Sequence, residues 1–110
     1  MGIFKTPVIR KIVNGKEVMV SDAAVVTNSE YKTNGESVIV IKVVENCEII
    51  LDSNTTEHVV IKSLTNVLVK SDTLIDEEFE EVELSKGSCV EFRKIGDYWY
   101  ILSSDGLKNS

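Results

Sequence analysis

The stretch Ser37-Val38-Ile39-Val40-Ile41-Lys42-Val43-Val44 decides how this chain folds. Branched aliphatics stand at odd and even positions alike, and β-branched side chains favour an extended backbone. The run is too short for an ordinary helix. The same habit returns in Cys47-Glu48-Ile49-Ile50-Leu51, His58-Val59-Val60-Ile61-Lys62 and Asn66-Val67-Leu68-Val69-Lys70, with further runs from Val82 to Leu84, Cys89 to Arg93 and Tyr98 to Leu102. All read as strands. A sheet with one wet face alternates apolar and polar residues, whereas strands apolar on both faces need cover on both sides. No helical periodicity is long enough to supply that cover. It must come from other strands, either of the same chain or of neighbouring copies.

Working outward, turn signals fall at Asn34-Gly35, Glu45-Asn46, Asp52 to Thr56, Ser63 to Thr65, Ser71-Asp72, Lys86-Gly87 and Gly96-Asp97. Their close spacing favours an antiparallel meander or sandwich over crossover units. The expected fold class is all-β, with short antiparallel strands forming a sandwich or prism-like body over residues 34–110. Upstream, Pro7 starts an extended run, Val8 to Val13, followed by Asn14-Gly15 and Lys16 to Val20. Asn-Gly between two β-prone runs marks a hairpin, because both residues tolerate the positive φ of a type I′ turn. Between Ser21 and Asn34 the aliphatic density drops, which reads as a linker. Residues 1–33 are therefore expected to form an N-terminal hairpin arm and linker, with Phe4, Val8 and Ile12 as its attachment residues.

The chain has 110 residues and a net charge of −6. One domain of this size buries only about two thirds of its unfolded surface. Two-faced strands are hard to cover within it, so an obligate oligomer is expected, with Ile39, Ile41, Ile49, Val60, Ile61 and Trp99 in the core or subunit interface. The acidic balance and the lack of any Lys/Arg stripe argue against nucleic acid as a partner. No apolar run approaches the roughly 20 residues that cross a bilayer, and the N-terminus lacks the pattern of a secretory signal, so neither membrane insertion nor export is expected. Gly2 and Thr6 match the myristoylation pattern only loosely, and the Asn54-Thr55-Thr56 sequon lacks an export signal to make it relevant.

Candidate chemistry is sparse. Asp76-Glu77-Glu78-Phe79-Glu80-Glu81-Val82-Glu83 is rich enough in carboxylates to attract Ca²⁺, but lacks the spacing of a calcium loop and reads as a solvated acidic segment. His58 is the only histidine and cannot by itself build a metal site or a triad. Cys47 and Cys89 stand far apart without a CxxC, as suits free thiols in a reducing compartment, although strands that brought them together could bridge them. Tyr98-Trp99-Tyr100 sends Trp99 to one strand face and the tyrosines to the other. Packing is the expected role of Trp99, with sugar stacking by Trp99, Tyr98 or Tyr100 as the alternative. No nucleotide, hydrolase or zinc-protease motif occurs, so no catalytic residue, metal or cofactor is expected.

From Val38 to Leu102 the order of short motifs is informative as a series. Glu48-Ile49-Ile50-Leu51, Val59-Val60-Ile61-Lys62, Asn66-Val67-Leu68-Val69, Thr73-Leu74-Ile75-Asp76, Val82-Glu83-Leu84 before Lys86-Gly87, and Gly96-Asp97-Tyr98-Trp99-Tyr100-Ile101 follow one another. This series resembles the small β modules of phage tail-fibre, spike and capsid-fibre proteins. Those modules usually place Gly after Ile-Asp, where this chain has Glu77-Glu78. The resemblance implies a non-enzymatic structural protein of the virion, made in the host cytoplasm: a capsid-decorating or short fibre subunit, commonly a homotrimer. Its arm would dock on a capsid or tail protein. The alternative is a fibre module that binds a host glycan.

Overall fold

The computed structural model describes residues 8–13, 16–21, 23–42 and 46–107, with side chains described over 23–42 and 46–104. The N-terminal hairpin forms as the Asn-Gly signal implies. β1 (Val8–Val13) and β2 (Lys16–Ser21) are antiparallel, from Val8 opposite Ser21 to Val13 opposite Lys16. They make a two-stranded sheet of their own. Phe4 lies outside the described residues, and of Val8 and Ile12 only the backbone is described.

Eight further strands form one sheet: β3 (Ala23–Val26), β4 (Glu30–Lys32), β5 (Val38–Ile41), β6 (Cys47–Leu51), β7 (His58–Ser63), β8 (Val67–Ile75), β9 (Phe79–Ile95) and β10 (Tyr98–Leu107). The all-β class stands. Their order is β3-β5-β7-β9-β10-β8-β6-β4, so strands consecutive in the chain are not neighbours until β8. The chain alternates between two half-sheets as it winds, and β3-β5-β7 and β4-β6-β8 are each built of parallel neighbours. Antiparallel pairing in the body is confined to the contacts of β9 with β7, β8 and β10. Turn spacing alone does not separate a hairpin from a corner that leads to the facing half, which is why the meander expectation differs from the mixed pairing.

The winding also relocates the domain boundary. Residues 23–33, read from sequence as linker, supply β3 and β4, which pair with β5 and β6. Val26 is buried in the body's core. The body begins at Ala23, because four small or aliphatic residues suffice for a strand when a parallel neighbour is already in place.

Each winding strand buries alternate residues. Ladder rows run across the halves: Ala24, Ile39, Ile61 and Val90 in one, Tyr31, Ile49, Val69 and Val82 in the other. The buried members of both rows belong to one hydrophobic cluster, with Trp99, Phe92 and Leu84 among its largest side chains. The second face of the two-faced strands is therefore the outer surface of the coil. Ile39, Ile41, Ile49, Ile61 and Trp99 are fully enclosed by their own chain, so they are core and not subunit interface. Val60 lies half-buried on the outside.

β9 holds the halves together. Its first part pairs with β8, from Phe79 to Leu84, and its later part pairs with β7, from Cys89 to Arg93. What sequence divides into two short strands is thus one strand of 17 residues, bent at Ser85–Ser88. Gly87 sits there at φ +90°. The buried Ser63 hydroxyl donates to the Ser85 carbonyl at 3.0 Å, and Ser88 Oγ donates to the same oxygen at 2.5 Å. Lys62 Nζ donates to the Gly87 carbonyl at 3.0 Å. These contacts satisfy backbone groups that the bend takes out of the ladder.

A second tight turn joins β8 to β9. Asp76 and Glu77 adopt φ of 54° and 60°, and Glu78 N donates to the Ile75 carbonyl at 3.1 Å. Two positive φ values at the central residues are the mark of a type I′ turn. The turn is made here without a glycine at either positive-φ position. Asp76 is held by its neighbours, since its amide donates to the Trp99 carbonyl and its Oδ1 accepts from Ile101 N.

Left-handed backbone costs a non-glycine L-residue roughly 1–2 kcal/mol, which gives two predictions of opposite sign. Gly87→Ala, whose Cβ would meet nothing within 4 Å, lowers stability by about 1 kcal/mol through backbone strain alone. Glu77→Gly acts in the opposite direction but by less than about 1 kcal/mol, because the relief of strain is partly offset by the lost acceptor of the Tyr100 hydroxyl and by glycine's greater unfolded-state entropy. Urea unfolding midpoints at unchanged slope measure both.

Candidate functional site

The two half-sheets carry different outer faces. On β4-β6-β8 the outward rows run Glu30, Glu48, Leu68, Glu83 and Lys32, Ile50, Lys70, Glu81. Lys70 Nζ reaches Glu48 Oε1 at 2.7 Å, and that hydrogen bond, with the nearby negative charges, raises the lysine's pKa. On β3-β5-β7 the outward rows run Ala23, Val38, Val60 and Val25, Val40, Lys62. Val25 is 65% exposed and Val38, Val40 and Val60 are half-buried. These valines give the outer face of this half-sheet an apolar patch. It ends against β9, where His58 Nε2 lies 2.5 Å from Glu91 Oε2. The hydrogen bond from His58, joined by one from Ser103, holds the Glu91 carboxyl below its ordinary range.

Sequence reasoning named Val60 in this patch and missed Val25, Val38 and Val40. The period of two already separated Val38 and Val40 from Ile39 and Ile41. Nothing in the run says which pair turns inward, because both are aliphatic and register decides the face.

Trp99 is 0% exposed. Its Nε1 donates to Ser53 Oγ at 3.2 Å and to Asp72 Oδ1 at 3.4 Å, while Ser53 donates to Asp72 through its hydroxyl at 2.7 Å and its amide at 3.2 Å. Burial pushes the Asp72 carboxyl up, but the hydrogen bonds from Ser53 and Trp99 outweigh it and hold the carboxyl below the usual range. With its indole enclosed, Trp99 offers no stacking platform to a sugar. Tyr98 and Tyr100 face outward and half-buried, and the Tyr100 hydroxyl donates to Glu77 Oε2 at 2.9 Å.

Polar groups also gather where the corners of successive windings stack. The Tyr31 hydroxyl donates to Glu36 Oε2, and the Asn34 amide donates to Glu36 Oε1 at 2.7 Å. Asp52 N donates to Thr33 Oγ1, Gly35 N to Thr56 Oγ1, and Thr55 Oγ1 to the Thr33 carbonyl. Burial, then the Glu36 hydrogen bond and charge, push the Tyr31 phenol up. Thr33, Glu36, Asp52 and Thr56 are buried, and each is used to satisfy a corner, so the cluster is structural.

Among the described residues no group of three His, Cys, Asp or Glu side chains could hold a metal ion, and the acidic run from Asp76 to Glu83 divides between the turn and β9. Cys47 is buried and Cys89 exposed, both as free thiols. Burial raises the Cys47 thiol pKa, and its Sγ donates to the Asn28 carbonyl at 3.3 Å. No family model, curated protein or solved structure matches the chain.

The buried indole and the two depressed carboxyls each give a prediction. Trp99→Ala removes the largest side chain of the core and lowers stability by about 3–5 kcal/mol, read from the denaturant midpoint. The depressed Asp72 and Glu91 carboxyls stabilise the fold above their unfolded values, and that contribution is lost as pH falls through the folded ones. The melting temperature should therefore hold near neutrality and drop below about pH 4. Asp72→Asn should flatten part of that drop.

Proposed function

We propose that this protein is a structural subunit of a phage virion, decorating the capsid or building a short fibre. Its β body assembles with other copies, and its N-terminal hairpin docks on a capsid or tail protein. The observation that carries the reading is the contrast between the two outer faces. One half-sheet shows water a charged, ion-paired surface, while the other shows it a row of valines. Contiguous exposed apolar surface rimmed by polar groups marks interaction sites. Packing the valine patches of three copies around an axis would bury them, in keeping with the trimers that the sequence resemblance implies.

The enclosure of Trp99 favours this reading over glycan binding, because the alternative had that ring as its main platform. The hairpin suits a docking role, since it forms a sheet separate from the body.

Sedimentation of the full chain tests the assembly, and the expected species is a trimer. Val40→Glu should reduce it to smaller species without loss of fold, since the new carboxylate lies beside Lys62 in the ladder. A wild-type chain that stays monomeric at every concentration defeats the proposal. Imaging of particles labelled on this subunit tests the location, with label expected on the capsid or tail surface.

A further inference from the structure

Among the described residues the coil is capped at one end, while at the other its edge strands have no second paired neighbour. At the last winding, β9 and β10 close it with antiparallel pairing. At the first winding, β3 and β4 are the two edge strands of the sheet, and the hairpin of β1 and β2 joins neither of them in a sheet. The open end carries the edge of the core as well, with Val26 buried and Tyr31 packed against the cluster. Unprotected edges invite pairing by another strand.

The order of residues on β4 identifies what fits. Glu30 and Lys32 are both exposed and flank Tyr31. If a second copy of β4 runs antiparallel to the first with Tyr31 opposite Tyr31, then Glu30 of each copy faces Lys32 of the other. Opposite charges directly across an antiparallel pair attract. A two-fold axis normal to both half-sheets makes this pairing, and the same rotation lays β3 antiparallel to its own twin. Because that rotation keeps each inner face inside, the two cores meet end to end. The hairpin of β1 and β2 forms its own sheet and takes no place in the ladder beside β3 or β4.

We propose that the first winding is a self-pairing edge, through which two copies of this chain join head to head by β3–β3 and β4–β4 pairing. The contact is distinct from the valine patch and does not depend on it. Isologous contacts of this kind are self-complementary and close after two copies.

The test is charge exchange on the full chain, read by sedimentation over a concentration series. The wild type should pass to a species of twice the mass. Glu30→Lys or Lys32→Glu alone sets like charges opposite each other and abolishes the doubling, whereas the double exchange Glu30→Lys/Lys32→Glu restores it. Both positions are exposed, but Lys32 also lies 3.8 Å from Asp52, so Glu30→Lys, which leaves that pair intact, is the deciding single variant and circular dichroism should show its fold retained. The wild-type doubling should also weaken as ionic strength rises, which provides a reading that needs no variant. Val40→Glu, which tests the lateral contact, should leave the factor of two in place, so the two proposals fail separately. A wild type that never doubles, single variants that double like wild type, an exchanged variant that does not recover, or doubling indifferent to salt overturns the inference.

Discussion

The bend of β9 is the constraint on which the body depends. A coil of parallel strands leaves two half-sheets related only by the packing of their inner faces, and the backbone hydrogen bonds of each half run along that half alone. β9 changes this by pairing with β8 on one side of Ser85–Ser88 and with β7 on the other. The ladder then becomes continuous around the core. For a strand to serve both halves, its backbone must turn sharply while its displaced carbonyls keep partners, and the Ser63, Ser88 and Lys62 donors meet that need. Phe92 and Leu84, one on each side of the bend, are both buried in the common core.

Strand content was legible in the sequence because β-branched density survives any topology. The Cys47–Leu51 strand appears with the bounds its apolar run gives it, and the Asn14-Gly15 signal correctly marks a hairpin between Val13 and Lys16. Pairing was not legible. Asp52 to Thr56 has the composition of a turn, yet it carries the chain from one half to the other instead of folding β6 onto β7. The faint strand at Ala23–Val26 escaped notice for a related reason, since its neighbour β5 supplies much of what its own composition lacks. As for the site, the patch of Val25, Val38 and Val40 is hidden within runs whose neighbouring residues are aliphatic too. Only the parallel register separates it from the core.

Two features that looked chemical in the sequence are absorbed by the architecture. The aromatic strand contributes its indole to the interior, where Asp72 and Ser53 give the ring nitrogen its partners. The acidic run begins in a turn whose first carboxylate accepts from the backbone of β10, so Asp76 ties the last strand to the hairpin before it. What remains for interaction is surface: one face charged, one face apolar, and an edge.

Closure by the last strands also sets the order in which the body can form. The windings supply parallel pairs between strands separated by a corner and a facing strand, contacts of long sequence separation that form slowly. Trp99, the largest core side chain, finds its polar partner Ser53 across 46 positions of chain. During synthesis the earlier windings therefore emerge without their lid, with aliphatic inner faces exposed until β9 and β10 leave the ribosome. The body cannot close before β9 and β10 are available, and the interval before that is when the nascent chain is most prone to aggregate.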